Sequence, residues 1–313
     1  MIEITNPDEG LVRFPPPDPK WSSWAEKPLI FSVDENSSGL RLDKFLTESS
    51  TFSRGMIREL IDFGGVWLDG RVCRKQSRIL EAGQETIIQV PLYGPVRFYE
   101  ARSSRIVYED EWLLAYDKEA GPPCQQTPYD GYNHLYGALA RLRPRDYLGL
   151  HHRLDSLTSG ITVFSRKKEA NPGLSRLFRD GPLEKTYLAV VRGEPEAAEW
   201  RVDLPIAKNK GAYVIPADGL GKTAQTIFKL AAAGRGKALV QARPLTGRTH
   251  QIRLHLAAAG FPILGDARHG GPPHRRMMLH AWTLSLIHPL TKKPLVLTAQ
   301  PPDGFYREDF EID

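Results

Sequence analysis

Apolar positions change their spacing along the chain. Between Ser38 and Phe63 they recur at helical intervals. Leu42, Phe45 and Leu46 share one face with Arg41 and Lys44 opposite, and Ile57, Leu60 and Ile61 share another with Arg54 and Arg58 opposite. Ser53 stands where an N-cap is expected, predicting a helix over 54–63 that Gly64-Gly65 stops. The pattern then turns to strands: Val66-Trp67-Leu68, a tight turn at Asp69-Gly70, a return segment over 71–78 and a last strand over 85–90. Residues 33–90 are thus expected to form a small α/β module. Before it, Pro7, Pro15, Pro16, Pro17, Pro19 and Pro28 interrupt any periodicity, predicting an irregular arm over 1–32 in which Trp21 and Trp24 pack against a surface. After it, Pro91 and Pro95 open a linker over 91–103.

From 104 to 313 the pattern predicts a second, larger domain. Ile106 to Lys118 reads as two short strands around an acidic turn, and Gly131 to Leu142 as a helix. Ile161-Thr162-Val163-Phe164 is an apolar strand, a helix follows around 170–178, and Glu184 to Gly193 reads as a buried strand. Residues 224–231 and 237–243 alternate and pair across Gly234-Arg235-Gly236; a Gly turn at 246–248 then leads into a helix ended by Gly260, and a last strand begins at Met278. The expected class is α+β, with a mixed, largely antiparallel sheet in the larger domain.

Composition narrows the choice. A chain of 313 residues with 41% hydrophobic and 25% charged positions has the make-up of a soluble globular protein. No apolar run approaches the roughly 18 residues of a membrane span, and the first residues lack the basic and apolar regions of a signal peptide, so a cytoplasmic protein is expected. Cys73 and Cys124 are far apart and in no Cys-x-x-Cys pair, which suggests neither a disulfide framework nor a thiolate metal site. The net charge of +5 is modest but uneven: residues 141–192 carry eleven Lys/Arg against five Asp/Glu, and residues 235–276 carry eight against one. Two basic stretches of this kind suit a polyanionic partner.

They flank and follow the stretch His151-His152-Arg153-Leu154-Asp155-Ser156-Leu157-Thr158-Ser159-Gly160. A lone carboxylate sits there on a short loop between an arginine and a Thr-Ser-Gly turn into a strand. By itself Asp155 could cap the turn by accepting backbone N–H bonds; Tyr187 could be a core aromatic, and Arg153 a surface ion-pair partner. The histidines at 151, 152, 250 and 255 raise the possibility of a metal-dependent hydrolase, but no His-Glu-x-x-His spacing is present.

Taken together, His-Arg-Leu-Asp-x-x-Thr-Ser-Gly at 152–160, Lys-x-Tyr-x-Ala at 185–189 and Gly-Arg-Thr-His-Gln-Ile-Arg-x-His at 247–255 resemble the RluA-type pseudouridine synthases, over roughly residues 104–300. One departure is His269, where that family usually has Tyr; another is Asp117-Lys118-Glu119-Ala120-Gly121 in place of Asn-Lys-Pro-x-Gly. The resemblance implies Asp155 as the catalytic residue, Arg253 as its ion-pair partner and Tyr187 against the target base. It further implies Arg153, Lys185, Arg248, His250 and Leu279 as substrate-binding residues, with Arg153 entering the space left by a flipped base. Isomerisation of uridine conserves every atom without redox change, so neither cofactor nor metal is expected. Residues 33–90 resemble the RNA-binding module of ribosomal small-subunit protein four, through Arg-Leu-Asp-Lys-Phe-Leu, Ser-Arg-x-x-Ile and Gly-x-Val-x-x-Asp-Gly. That module holds eight basic and nine acidic residues over 34–90, so binding is expected from Arg41, Lys44, Arg54 and Arg58 on one face with the acids elsewhere. The expected partner is RNA, ribosomal or transfer, bound by a monomer; the competing expectation is an RNA-binding or ribosome-assembly factor of the same fold without activity.

Overall fold

The computed structural model describes residues 10–23, 27–128, 130–306 and 310. The chain clusters into two compact units: 13–101 with 123–142, and 10–12 with 102–122 and the residues from 143 onward. The stretch 123–142, assigned from sequence to the larger domain, thus clusters with the smaller unit.

In the first unit a four-stranded antiparallel sheet has the order β1-β4-β2-β3, built from β1 (Leu29–Ser32), β2 (Val66–Leu68), β3 (Arg71–Val72) and β4 (Glu85–Ile88). Two helices pack with it, α1 (Leu42–Ser49) and α2 (Arg54–Phe63). Local chemistry sets the ends of α2: the Ser53 hydroxyl accepts from Met56 N at 3.3 Å, and Gly64 closes the helix in the left-handed region at φ +90°. Leu42, Phe45, Leu46, Ile57, Leu60 and Ile61 are all buried in one core, as their spacing predicts. Trp21 joins that core and stacks on Phe52 at 6.3 Å, so part of the proline-bearing arm is tied down; Trp24 lies outside the described residues. Strand β1 falls inside the segment read as irregular. The unit is completed by α3 (Leu135–Leu142).

The second unit is built on a sheet of ten strands among the described residues. Its main path, β10-β13-β14-β9-β15-β8-β6-β5, runs through β5 (Ile106–Glu109), β6 (Leu113–Lys118), β8 (Ser159–Ser165), β9 (Glu184–Arg192), β10 (Glu199–Val202), β13 (Thr226–Gly234), β14 (Lys237–Pro244) and β15 (Leu279–Ile287). Strand β7 (Gly149–Leu150) pairs with β8, and β16 (Pro294–Thr298) with β15; β11 (Ala207–Asn209) and β12 (Ala212–Val214) form a separate hairpin. Among the described residues every pairing between these strands is antiparallel except β15 with β8, so the sheet is mixed and largely antiparallel. Helix α4 (Asn171–Asp180) packs on one part of the sheet and α5 (Gln251–Ala258) on another.

The parallel seam carries a constraint. Ser159 and Gly160 pair with His280 and Ala281, and Gly160 has φ +109° with the position of a Cβ only 2.2 Å from the Ala281 carbonyl oxygen. Any side chain there would push β8 off β15. The glycine that ends the motif is thereby explained by the geometry of the sheet.

Candidate active site

The loop bearing Asp155 enters β8 at this seam and is held from below. The buried Lys118 ammonium donates to the Ser156 carbonyl at 2.9 Å and to the Pro122 carbonyl at 2.9 Å, while Gly121 N donates to Ser156 O at 2.8 Å. Within the loop, Thr158 N donates to the Asp155 carbonyl at 3.0 Å. The first residue of β8 is fixed too: His280 faces the Ala299 carbonyl through Nε2 at 3.1 Å, which puts its proton there and leaves Nδ1 to accept from the Ser159 hydroxyl at 2.8 Å. The same hydroxyl oxygen accepts from the buried Arg276 at 2.5 Å. Sequence reasoning assigned Lys118, Ser159, Arg276 and His280 no part in the site, because their partnerships are tertiary.

Opposite the loop stands α5. Its entry is set by Gln251, whose amide oxygen accepts from the Thr246 hydroxyl at 2.7 Å and from Arg248 N at 3.0 Å, while its amide nitrogen donates to Gln225 O at 2.9 Å and Thr226 Oγ1 at 3.0 Å. His255 bonds Thr226 Oγ1 at 2.9 Å and the Leu204 carbonyl at 3.0 Å. These two motif residues therefore brace the helix against the sheet. His250, just before the helix, lies in the left-handed region at φ +58°, an uncommon conformation for a residue with a side chain.

That backbone presents Arg253 and His250 to Asp155. Arg253 donates through Nη1 to Asp155 Oδ2 at 3.1 Å, and through Nε and Nη2 to Asp266, both at 2.7 Å. Its side chain is 6% exposed and that of Asp266 is 1% exposed, whereas that of Asp155 is 27% exposed. The bidentate bond to Asp266 fixes the guanidinium plane, so its third donor is aimed at Asp155. Burial alone would raise the Asp266 carboxyl, but the hydrogen bonds and charge of Arg253 outweigh it and hold the group below its usual range. His250 Nε2 lies 3.7 Å from Asp155 Oδ2, and its other nitrogen is 3.1 Å from His269 Nε2. Burial depresses His250 to about 4, with Arg253 and His269 adding to the effect against the pull of Asp155.

Two family models match the chain: RNA pseudouridylate synthase over residues 112–258, and S4 domain over residues 40–85. Ribosomal large subunit pseudouridine synthase C of Escherichia coli K12 is 31% identical over 308 residues, covering 89% of this chain and 94% of that protein. Its counterpart in Vibrio vulnificus is 32% identical over 299 residues, covering 86% and 92%. The chain belongs to the RluA-type pseudouridine synthases. Among solved structures, human RNA Pseudouridylate Synthase Domain Containing 1 matches with a TM-score of 0.55 at 26% identity, covering 65% of this chain and 87% of that one. The activity of the synthase is formation of pseudouridine in RNA, and no helix among its described residues is long and apolar enough to cross a membrane.

The other expected site residues fall in three settings. Tyr187 and Lys185 of the synthase, both on β9, line a pocket with His152, Phe178, Ala281 and Thr283; neither Asp155 nor Arg253 is among its lining residues. His152 stacks on Phe178 at 4.1 Å and accepts from Val163 N at 2.9 Å, and burial lowers it to about 3. Lys185 approaches the same Phe178 ring at 5.3 Å, and burial lowers its ammonium as well. Arg153 is exposed, with no hydrogen bond or ion pair among the described residues. Arg248 is exposed and donates to the Thr223 carbonyl at 3.0 Å. Leu279, expected to touch substrate, is 3% exposed and packs in the apolar core beside β9.

In the S4 module Arg41, Arg54 and Arg58 come together, without Lys44 and around an acid that was expected elsewhere. Asp43, whose side chain is fully buried, lies at their centre. Arg41 binds both its oxygens at 2.9 and 3.0 Å, and Arg54 and Arg58 approach Oδ2 at 3.8 and 3.9 Å. Arg41, by hydrogen bond and charge, holds the Asp43 carboxyl below its usual range. Lys44 pairs separately with Glu48 at 3.8 Å. The acid sits in the first turn of α1 and gathers three cations that repel one another.

Proposed function

We propose that the synthase acts on large-subunit ribosomal RNA, with Asp155 as the group that engages the ribose of the target uridine. The observation that carries this reading is the half-open carboxylate of Asp155 on the third donor of a buried arginine already locked to Asp266. The reaction breaks the bond from the ribose carbon to uracil N1 and forms one to C5; the C5 hydrogen leaves and N1 gains one, so atoms balance without a cofactor. Asp155 serves as nucleophile or base at the sugar, Arg253 keeps its charge in place, and Tyr187 offers a ring for the base and a phenol for the C5 proton. A paired base must leave its helix first, at a cost of a few kcal/mol. The exposed, uncommitted guanidinium of Arg153 is suited to fill the space left behind. Arg41, Arg54 and Arg58 are proposed to hold RNA phosphates, and residues 91–103 to link the module to the catalytic domain.

The relatives' names, ribosomal large subunit pseudouridine synthase C, support ribosomal RNA over transfer RNA. Mapping pseudouridine in both RNA classes from cells with and without the protein tests the choice. Loss of a large-subunit position is expected. Unchanged ribosomal maps with a lost transfer-RNA position would overturn the target.

A further inference from the structure

His269 lies on the short turn Ala267–His269, and its ring is hydrogen-bonded to a residue beside Asp155. That residue is His250. The single hydrogen bond between the rings, His269 Nε2 to His250 Nδ1 at 3.1 Å, needs one proton, and the surroundings decide which ring carries it. If His250 donated from Nδ1, its neutral ring would turn an Nε2 lone pair toward the Asp155 carboxylate 3.7 Å away. If His269 donates, His250 Nδ1 accepts and its Nε2–H points at that carboxylate. The second arrangement is electrostatically favoured.

We infer that His269 is a positioning residue of the synthase: by donating to His250 Nδ1 it fixes the tautomer that directs the Nε2–H of His250 toward Asp155. The inference rests on the assignment of Asp155 as the reacting carboxylate. Its geometry is built, not incidental. His269 is held on a short turn by its own N–H to the Asp266 carbonyl at 3.1 Å, so the residue that locks Arg253 also anchors the turn bearing His269. His250 is fixed by its left-handed backbone at φ +58° and by the rings of His269 at 5.2 Å and Tyr213 at 6.0 Å. The arrangement supplies Asp155 with two directed donors, one charged from Arg253 and one neutral from His250.

It also resists acid. A proton added to His250 has to go to Nδ1, where the His269 N–H already points, and Arg253 and Arg268 add positive charge nearby. Asp155 and Asp266 pull the other way. Burial is the largest cause of the depression of His250 to about 4, and burial lowers His269 too. Removing the His269 donor frees Nδ1, so His250 becomes easier to protonate and then forms a full ion pair with Asp155, which dulls the carboxylate. A Gln at 269 keeps an N–H donor without titrating, and a Tyr keeps an O–H donor.

The test is single-turnover pseudouridine formation on saturating RNA across pH 4.5–8 for wild type, His269→Phe, His269→Gln, His269→Tyr and Asp155→Asn, with RNA affinity measured in parallel. His269→Phe is expected to slow the reaction about tenfold at neutral pH, the value of about one neutral hydrogen bond, and to move the acid limb of the profile to higher pH with affinity unchanged. His269→Gln and His269→Tyr are expected to restore the rate to within about threefold of wild type and to return the acid limb. A wild-type rate and profile in His269→Phe, with Asp155→Asn inactive, would overturn the inference alone. Equal loss in Phe, Gln and Tyr variants would overturn it also, since shape and not a donor would then be needed. Wild-type activity in Asp155→Asn would overturn the reading of the site and this inference with it.

Discussion

The two units of the synthase each gather arginine and aspartate, in opposite arrangements. In the S4 module the carboxylate of Asp43 is fully buried, and Arg41, Arg54 and Arg58 around it are 46%, 62% and 46% exposed. In the catalytic unit the arginine is buried, and Asp155 is the member that reaches solvent. The group that is buried holds; the group left outside is available. Buried Asp43 concentrates cations on a surface, which suits phosphates that arrive and leave. Buried Arg253 presents a carboxylate with fixed direction, which suits chemistry at one atom.

The comparison predicts unequal responses to mutation. The largest belongs to Arg253→Ala, which strands buried Asp266 and removes the donor to Asp155. Breaking a buried pair on one side costs about 3–5 kcal/mol, so a chemical denaturation curve should show a loss of that size in the catalytic unit together with loss of activity. A change below about 1 kcal/mol would mean that Asp266 is solvated some other way.

Acid should separate the units next. His280, which is buried, and His152 and His250, which are partly buried, have folded values of about 4, about 3 and about 4, below the ordinary 6.5. The unfolded chain therefore takes up protons below about 6.5 that the folded chain refuses until about 4, and stability of the catalytic unit falls as pH drops through that window. The first unit has one histidine, His134, depressed to about 4. Hydrogen exchange at pH 7 and pH 5 should show protection falling more in β8, β9 and β15 than in α1 and α2; equal losses would contradict this.

The smallest effect on the fold is expected from reversing Arg54 and Arg58 to Glu. Both are largely exposed and lie 3.8 and 3.9 Å from buried Asp43, which keeps the two hydrogen bonds of Arg41, so stability should fall by about 1–2 kcal/mol, less than for Arg253→Ala. RNA affinity should nevertheless fall, with the slope of log affinity against log salt flattening by about 0.7–0.9 for each phosphate that the module no longer neutralises. An unchanged slope would remove these arginines from the RNA surface.

What the sequence disclosed follows the range of the forces involved. Helix α2 was legible to the residue because its Ser53 cap and Gly64 stop act within one turn. The antiparallel hairpin of β13 and β14 was legible because alternation and a Gly turn are local. Strand β1 was not: four residues with alternating burial, directly after Pro28, gain their ladder from β4 more than fifty residues away. The same limit applied to the site. Arg253 facing Asp155 came from a resemblance, while the Asp266 lock and the His269 hydrogen bond arise only when the turn after α5 folds back on it. Asp43 was misjudged because a helical wheel places acids among polar residues and cannot show one turned inward beneath three arginines.

The assignment of Asp155 is tested most sharply by Asp155→Asn, which keeps the size of the side chain and removes its charge. Measured on the same RNA, the variant should bind as wild type within about twofold and form no pseudouridine, because a neutral amide is neither a useful nucleophile nor a base. Pseudouridine formed at the wild-type rate would contradict that assignment and leave the buried Arg253 with no reacting carboxylate to hold.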